Sequence, residues 1–434
     1  MNKVLIISYY WPPSGGAGVQ RWLKFVKYLP QEGIEPIVLT IHPEFAAYPV
    51  LDESFKKDIN PELKIHKTKA TDYYKFYSVF KRNKQVPHGG IPPKSKSFKV
   101  RLSLALRNHF FIPDPRIGWN KYAFKKAMEI IQKESIKTVI TTSPPHSTQL
   151  IGLKVKKAFP NINWVADLRD PWTDIYFYKN LNHSRWSDRQ NRKKEKMVLS
   201  KADELIVVSQ GMKDLFINKG LEGNRNKIHV IPNGYDSEDF ILQSKISNER
   251  ATISYVGTLN DDYDISGFID ALVRISNENE NRIEFQFLGQ LPKNIETAIE
   301  SAGLKGVLNY KGYVEHSEAV KHAFSSDLLL LVVPNVTDNK GIITGKLFEY
   351  IATGNPIICL GPKDGDADMI LREGGFGECF DYSDVNAIYE FLQRCLIEKS
   401  ITSGNPTDRY KYSRKSLTND LAKLLNRLGS KTRI

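Results

Sequence analysis

Cysteine is scarce in this chain of 434 residues: Cys359, Cys379 and Cys395 are the three it has. They are too few and too scattered for a disulfide framework or a zinc knuckle, which points to a reducing compartment with the thiols used for packing. Long apolar runs are also missing. The first, Val4 to Ile7, is far shorter than the apolar core of a signal peptide. No stretch approaches the ~20 residues of a membrane-spanning helix, so the sequence predicts neither export by that route nor integration into a bilayer. Acidic residues fail locally. Between Lys75 and Arg107 stand nine Lys/Arg and no Asp or Glu, in a chain of formal net charge +13. Such a block calls for an anionic partner or a solvated surface.

The rest of the composition is that of a globular protein, 41% hydrophobic and 26% charged. The length exceeds what one core supports, and two domains are expected. Short continuous apolar runs, VLIIS (4–8), PIVLTI (36–41), TVITT (138–142), NWVADL (163–168), ELIVVS (204–209) and IHVIP (228–232), read as strands covered on both faces. Val19, Trp22, Leu23 and Val26 at i, i+3, i+4 and i+7 place a helix after the first of them. After a polar stretch the pattern restarts at ATISYVGTLNDD (251–262) and continues through IEFQFLG, LLLLVV and NPIICLG. The reading is α/β and doubly wound: a first domain over 1–240 with a basic insertion at 72–111, and a second over 250–408. The tail, 409–434, carries a stripe of Leu417, Leu421, Leu424, Leu425 and Leu428. It reads as a helix that packs back on the first domain, with Ser416 as N-cap and Gly429 as its stop.

The loop after the first strand reads WPPSGGAGVQRW. A dinucleotide-binding turn needs G-x-G-x-x-G and an acidic residue ending the next strand. Here Arg21 stands where the third glycine belongs, and the second strand ends Thr40-Ile41-His42, so both requirements fail; the lysine and Ser/Thr of a P-loop are missing too. Gly15, Gly16 and Gly18 then either let a backbone approach an anion at a helix N-terminus, with Arg21 one turn in, or only satisfy a tight turn.

In the second domain GIITGKLFEYIATGNPIICLG (341–361) places Thr344 as an N-cap and Lys346 and Glu349 on one flank of a helix. A lysine in the first turn suits a diphosphate and a carboxylate one turn later suits ribose hydroxyls; the alternative is an exposed charge pair. In WVADLRDPW (164–172), Asp167, Arg169 and Asp170 end a strand of the first domain, as a candidate site or a structural ion pair, and His146 in SPPHS ends the strand before it.

With GGAG after strand one, VIPNGYD (230–236), YVGTL (255–259), YKGYVEHSE (310–318) and above all GKLFEYIATGNPII (345–358), the chain resembles the retaining glycosyltransferases of family 4 over nearly its whole length. The resemblance implies the GT-B fold, two Rossmann-like domains facing across a cleft, and transfer of a sugar from a nucleotide diphosphate in cell-surface polysaccharide biosynthesis. It implies that Glu349 binds the donor ribose, and that Lys346 with Gly257 and Thr258 faces the diphosphate. Gly312, Tyr313 and Val314 would lie along the base, with Gly341, Ile342, Ile343 and Thr344 bordering the donor. Gly15, Gly16 and Gly18 would close over its phosphate and sugar. Arg169, Asp170, Asp167 and His146 are the catalytic candidates.

The chain departs from the family pattern in two places. Gly341 stands where a second glutamate is usual, eight before Glu349, and GTLNDDYD lacks the usual Arg and Lys, so phosphate charge falls to Lys346 with help from Arg21. With no His/Cys ligand cluster, neither a metal nor another cofactor is expected. The expected partners are a nucleotide-sugar donor, a UDP-sugar first, a lipid-linked or glycan acceptor, and an anionic membrane contacted by the insertion, but no nucleic acid. The expected location is cytoplasmic, peripheral to the inner face of the plasma membrane. Two rival readings remain: a catalytically silent nucleotide-sugar-binding partner protein, and a nucleotide-sugar epimerase.

Overall fold

The computed structural model describes residues 2–71, 109–240, 246, 248–279, 282–401 and 404–431. Contacts divide the chain into two units, Met1–Pro232 with Leu417–Ile434, and Asn233–Ser416. The first boundary thus falls eight residues before the expected 240. Residues 409–416 stay with the second unit, where Tyr235 exchanges backbone hydrogen bonds with the Tyr412 carbonyl and the Arg414 amide.

Unit 1 holds seven strands, β1 (Asn2–Ile7), β2 (Ile34–Ile41), β3 (Lys64–Thr68), β4 (Thr138–Ser143), β5 (Asn163–Leu168), β6 (Glu204–Val207) and β7 (Ile228–Val230). They form one parallel sheet in the order β3-β2-β1-β4-β5-β6-β7. The described helices are α1 (Ala17–Tyr28), α2 (Asn120–Glu134), α3 (Gln149–Ala158), α4 (Arg185–Lys201) and α5 (Gln210–Phe216). The continuous apolar runs are explained by burial on both sides. From β1, Val4 and Ile6 join a cluster with Val19 and Trp22 of α1, while Leu5 and Ile7 join another with Ala123, Ala127 and Ile130 of α2.

Unit 2 repeats the plan with β8 (Ala251–Val256), β9 (Ile283–Leu288), β10 (Leu308–Gly312), β11 (Leu328–Val332), β12 (Ile357–Leu360) and β13 (Gly377–Phe380), in the order β10-β9-β8-β11-β12-β13. Its helices are α6 (Ser266–Glu278), α7 (Lys293–Ser301), α8 (His316–Ser325), α9 (Lys346–Thr353), α10 (Asp366–Gly374), α11 (Val385–Leu392) and α12 (Pro406–Tyr410). Leu328, Leu330 and Val332 of β11 face α6 and α11, and Leu329 and Leu331 face α9 and α10.

The last helix, α13 (Arg414–Lys431), lays all five leucines of its stripe into the unit 1 cluster that contains Trp22 and Val19. Burying each contributes roughly 1.5–3 kcal/mol before entropy. Its cap is Ser413, whose hydroxyl accepts the Ser416 amide at 3.1 Å, not Ser416 itself, and the helix runs through Gly429 to Lys431. Ser416 is the third residue inside the helix, so its amide is one of the donors that need capping.

Candidate functional site

In both units the strand order reverses beside the first strand, between β1 and β4 and between β8 and β11. The loops leaving the carboxyl ends there run in opposite directions and open a crevice, the usual ligand position in such sheets.

In unit 2, β8 runs into Gly257 at φ 126°, a conformation that a side chain would strain. Its amide donates to the Leu288 carbonyl at 2.7 Å. The space above it belongs to Lys346, since a Cβ at 257 would stand 2.3 Å from the Lys346 Cε. Lys346 Nζ donates to Tyr255 Oη at 2.6 Å and lies 4.3 Å from the centre of that ring, and Tyr255 Oη donates to the Thr258 carbonyl at 3.2 Å. Burial pulls the Lys346 ammonium down to about 8, with Glu349 opposing the shift. The same cause pushes the Glu349 carboxyl up, against the pull of His316. Glu349 has no hydrogen-bond partner among the described residues. It borders a shallow recess with Phe240, Val256, His316 and Tyr350. Next to Glu349 on α9, Tyr350 Oη accepts the Val256 amide at 2.8 Å and ties the helix to β8.

Thr344 is not the N-cap of this helix. Gly345 already has helical backbone angles and holds the cap position without a side chain, and the Thr344 hydroxyl is buried with no partner among the described residues. No side chain therefore caps α9: the Leu347 amide donates to the Thr344 carbonyl at 3.2 Å, and the other first-turn amides carry no side-chain acceptor and can meet an anion. Ile342 and Ile343 are half-buried and pack against the core beneath α9. Gly341 is exposed, and a Cβ there would stand 3.8 Å from Asp366 Oδ2. At the end of β10, Gly312 (φ 69°) accepts the Gly289 amide at 2.7 Å, followed by a Tyr313 that is 91% exposed and a half-buried Val314.

Gly289 is a residue that sequence reasoning missed. A Cβ there would stand 2.2 Å from the Gly257 carbonyl, so Gly257, Gly289 and Gly312 form a row across the ends of β8, β9 and β10. The shared ending of YVG and FLG is the signal that could have found it.

In unit 1 the charged candidates are mostly spent on the fold. Arg21 is fully buried and does not face a phosphate. Its guanidinium donates to Asp167 at 3.0 Å and to the Ile231 and Pro232 carbonyls at 2.8 Å each. Asp167, equally buried, also accepts from Trp22 Nε1 and the Thr142 hydroxyl, both at 2.7 Å. This is a closed ion pair tying α1 to β5, and it removes Asp167 from the catalytic candidates.

Arg169 is half-buried and donates to the carbonyls of Gly18, Pro144 and Ser143 at 2.8, 2.9 and 3.2 Å, binding the loops after β1 and β4 together. Beside it burial raises the Asp170 carboxyl. His146 stacks on Trp172 with ring centres 5.0 Å apart, and burial, helped by Arg169, holds the imidazole down to about 3. It is therefore neutral across physiological pH. Gly16 sits at φ 86°, where the turn needs glycine, while Gly15 and Gly18 leave room for Asp52 and Arg169 of their own unit.

Residues 72–108 of the expected basic insertion lie outside the described residues. Three Asp-x-Asp spacings also stand in the sequence, at 262/264, 364/366 and 366/368. In the first, Asp264 accepts from the amide and hydroxyl of Ser266; in the overlapping other two, Asp368 accepts the Asp364 amide, so both stretches hold turns.

A family model for glycosyltransferase family 4 matches residues 14–239, more than half of the chain. The chain belongs to glycosyltransferase family 4. Its fold is that of solved GT-B enzymes. Sucrose-phosphate synthase from Thermosynechococcus elongatus superposes with a TM-score of 0.62 at 15% identity, over 99% of this chain and 100% of that one. The Anabaena protein HepE, solved in complex with UDP, gives 0.58 at 13% over 99% and 98%, and the lipopolysaccharide outer core galactosyltransferase WaaB gives 0.59 at 13% over 98% and 100%. Among curated protein sequences none matches. No helix among the described residues is long and apolar enough to cross a membrane. In this family-4 chain the matched segment lies almost wholly in unit 1, whereas the less satisfied polar groups, Lys346 and Glu349, lie in unit 2.

Proposed function

We propose that this family-4 chain transfers a sugar from a nucleoside diphosphate donor, a UDP-sugar first, to a lipid-linked or polysaccharide acceptor with net retention and without a metal ion. The observation that carries the reading is the pairing of Lys346 with Gly257 at the β8/β11 crevice, beside a Glu349 without a hydrogen-bond partner among the described residues. In this reading Lys346 and the uncapped amides of α9 meet the diphosphate, Glu349 takes the ribose hydroxyls, and the Gly312–Val314 segment runs along the base. Charge that develops on the leaving diphosphate is stabilised by the lysine and by backbone N–H groups, which need no reorganisation during the reaction. Retention follows from front-face attack by an acceptor hydroxyl while the leaving phosphate takes up its proton. HepE with bound UDP and the galactosyltransferase WaaB support the donor class and a cell-surface glycan as product.

Arg169 and Asp170, joined at the β4/β5 ends by a neutral His146, are the candidates for contact with the transferred sugar. The work takes place at the inner face of the membrane, where lipid-linked acceptors are met. The deciding experiment is calorimetric titration with UDP, GDP, ADP and NAD in the presence of EDTA. Binding of UDP or GDP near micromolar supports the reading, and loss of that binding in Glu349→Ala and Lys346→Ala supports the site. Absence of binding by all four counts against every donor-binding reading and leaves a catalytically silent scaffold, for which Gly341 is the best argument. A product assay without acceptor separates transfer from epimerisation.

A further inference from the structure

Helix α4 has an exposed face unlike any other surface described above. Of its seven Lys/Arg, Arg192 pairs with Asp188 at 3.0 Å, whereas Arg185, Arg189, Lys193 and Lys196 have no carboxylate partner among the described residues. Its other acid, Glu195, is buried and spent on Lys219 and Thr173. At about 100° per residue, Arg185, Trp186, Arg189, Lys193 and Lys196 fall within roughly 100° of arc, opposite the buried Ser187, Asn191, Glu195 and Val198.

Trp186 is 53% exposed, and the other five tryptophans, 11, 22, 119, 164 and 172, are at most 3% exposed. Its ring lies 4.9 Å from that of His109, whose Nδ1 is 3.2 Å from the Ser184 hydroxyl that caps α4. The next residue, Phe110, is 70% exposed. An indole and a phenyl ring in water beside a row of unpaired cations is the composition of a surface that meets an anionic bilayer: rings enter the headgroup region while the charges bind lipid phosphates.

We propose that the α4 face, with Phe110 and Trp186 as its apolar points, is a docking surface for anionic lipid. It deepens the membrane part of the proposed function and gives it a place among the described residues. Charge complementarity favours this occupant, since the face has no unpaired acid to repel lipid phosphates. The basic sequence 75–107 also joins the chain just before His109.

The test uses the full chain with vesicles of phosphatidylglycerol and phosphatidylcholine, and with phosphatidylcholine alone. Expected are sedimentation with the anionic vesicles only, weakening with salt, and quenching of tryptophan emission by brominated lipid that disappears in Trp186→Phe. Arg189→Glu/Lys193→Glu/Lys196→Glu should lose at least about tenfold in partitioning, with an unchanged circular dichroism spectrum. Absence of binding to anionic vesicles overturns the proposal. So does binding without Trp186 quenching, and so does binding abolished by neutralising Lys94, Lys96, Lys99 and Arg101 but untouched by the α4 reversal. UDP titration of the same variants keeps the readings apart, because loss of UDP binding strikes the transferase reading and loss of vesicle binding strikes only this one.

Discussion

The two crevices of this molecule are built on the same sheet plan and use their charges in opposite ways. At the β1/β4 end, Arg21 and Asp167 satisfy one another deep inside, and Arg169 spends its donors on three carbonyls. At the β8/β11 end, Lys346 has a tyrosine hydroxyl and ring for company, and burial lowers its pKa against the weaker opposing pull of Glu349. A buried charge that is fully paired belongs to the scaffold. A buried charge left short of partners is tolerated where a ligand supplies the missing counter-charge.

The largest effect expected from breaking this contrast is in unit 1. Asp167→Asn strands the Arg21 guanidinium without its carboxylate and should cost about 3–5 kcal/mol, read as an early thermal transition by calorimetry. Gly257→Ala comes next. Strain at φ 126° contributes about 1–3 kcal/mol, and the new methyl group drives the Lys346 side chain aside, so UDP affinity should fall along with stability. If Gly257→Ala destabilised the protein but left UDP affinity intact, Lys346 would not be the diphosphate contact.

Lys346→Met sharpens the comparison further, because stability and binding should move in opposite directions. The unfolded chain keeps its lysine proton to about pH 10.4, whereas the folded protein releases it near 8. Between those values the unfolded state holds more protons, so the lysine's contribution to stability rises with pH and is least favourable below 8. The methionine variant should therefore melt no earlier than the parent at pH 7, with a flatter dependence from 8 to 10, while UDP affinity drops about tenfold or more. In the parent, UDP affinity should decline above pH 8 as free Lys346 loses its proton. Lys346→Arg, which stays charged, should flatten that decline.

These contrasts were only partly legible in the sequence. Interior strands announced themselves as unbroken apolar runs because both faces are covered. Of the edge strands, β7 was legible in its IHVIP run, whereas β3, β10 and β13 were not, because KIHKT, LNYKG and GECF interleave polar residues at a sheet margin. Lys346 and Glu349 were visible because helix spacing alone puts them on one flank. The Arg21–Asp167 pair was not, since its members stand 146 residues apart and only the sheet order brings them together. Caps are poorly legible in both directions: the sequence points to Ser416 where Ser413 caps, and to Thr344 where Gly345 opens the helix. A cap depends on where the backbone first turns helical, and side-chain identity sets that weakly.

The smallest effect expected belongs to His146, and it tests whether anything in the unit 1 crevice shares the character of unit 2. Burial, reinforced by Arg169, holds this imidazole to about 3, against 6.5 in the unfolded chain. Between pH 3 and 6.5 the unfolded state therefore binds the extra proton, and stability rises with pH through that window. His146→Phe preserves an aromatic ring for the stack on Trp172 and removes the titration. It should leave the melting temperature at pH 7.5 within a few degrees of the parent and make the variant the more acid-tolerant of the two at pH 4.5. If instead the parent and His146→Phe lose stability in parallel on acidification, the imidazole titrates freely. It would then be accessible to solvent and substrate alike, and the unit 1 crevice would hold a proton-transfer group as exposed to its ligand as Lys346 is in the proposed donor site.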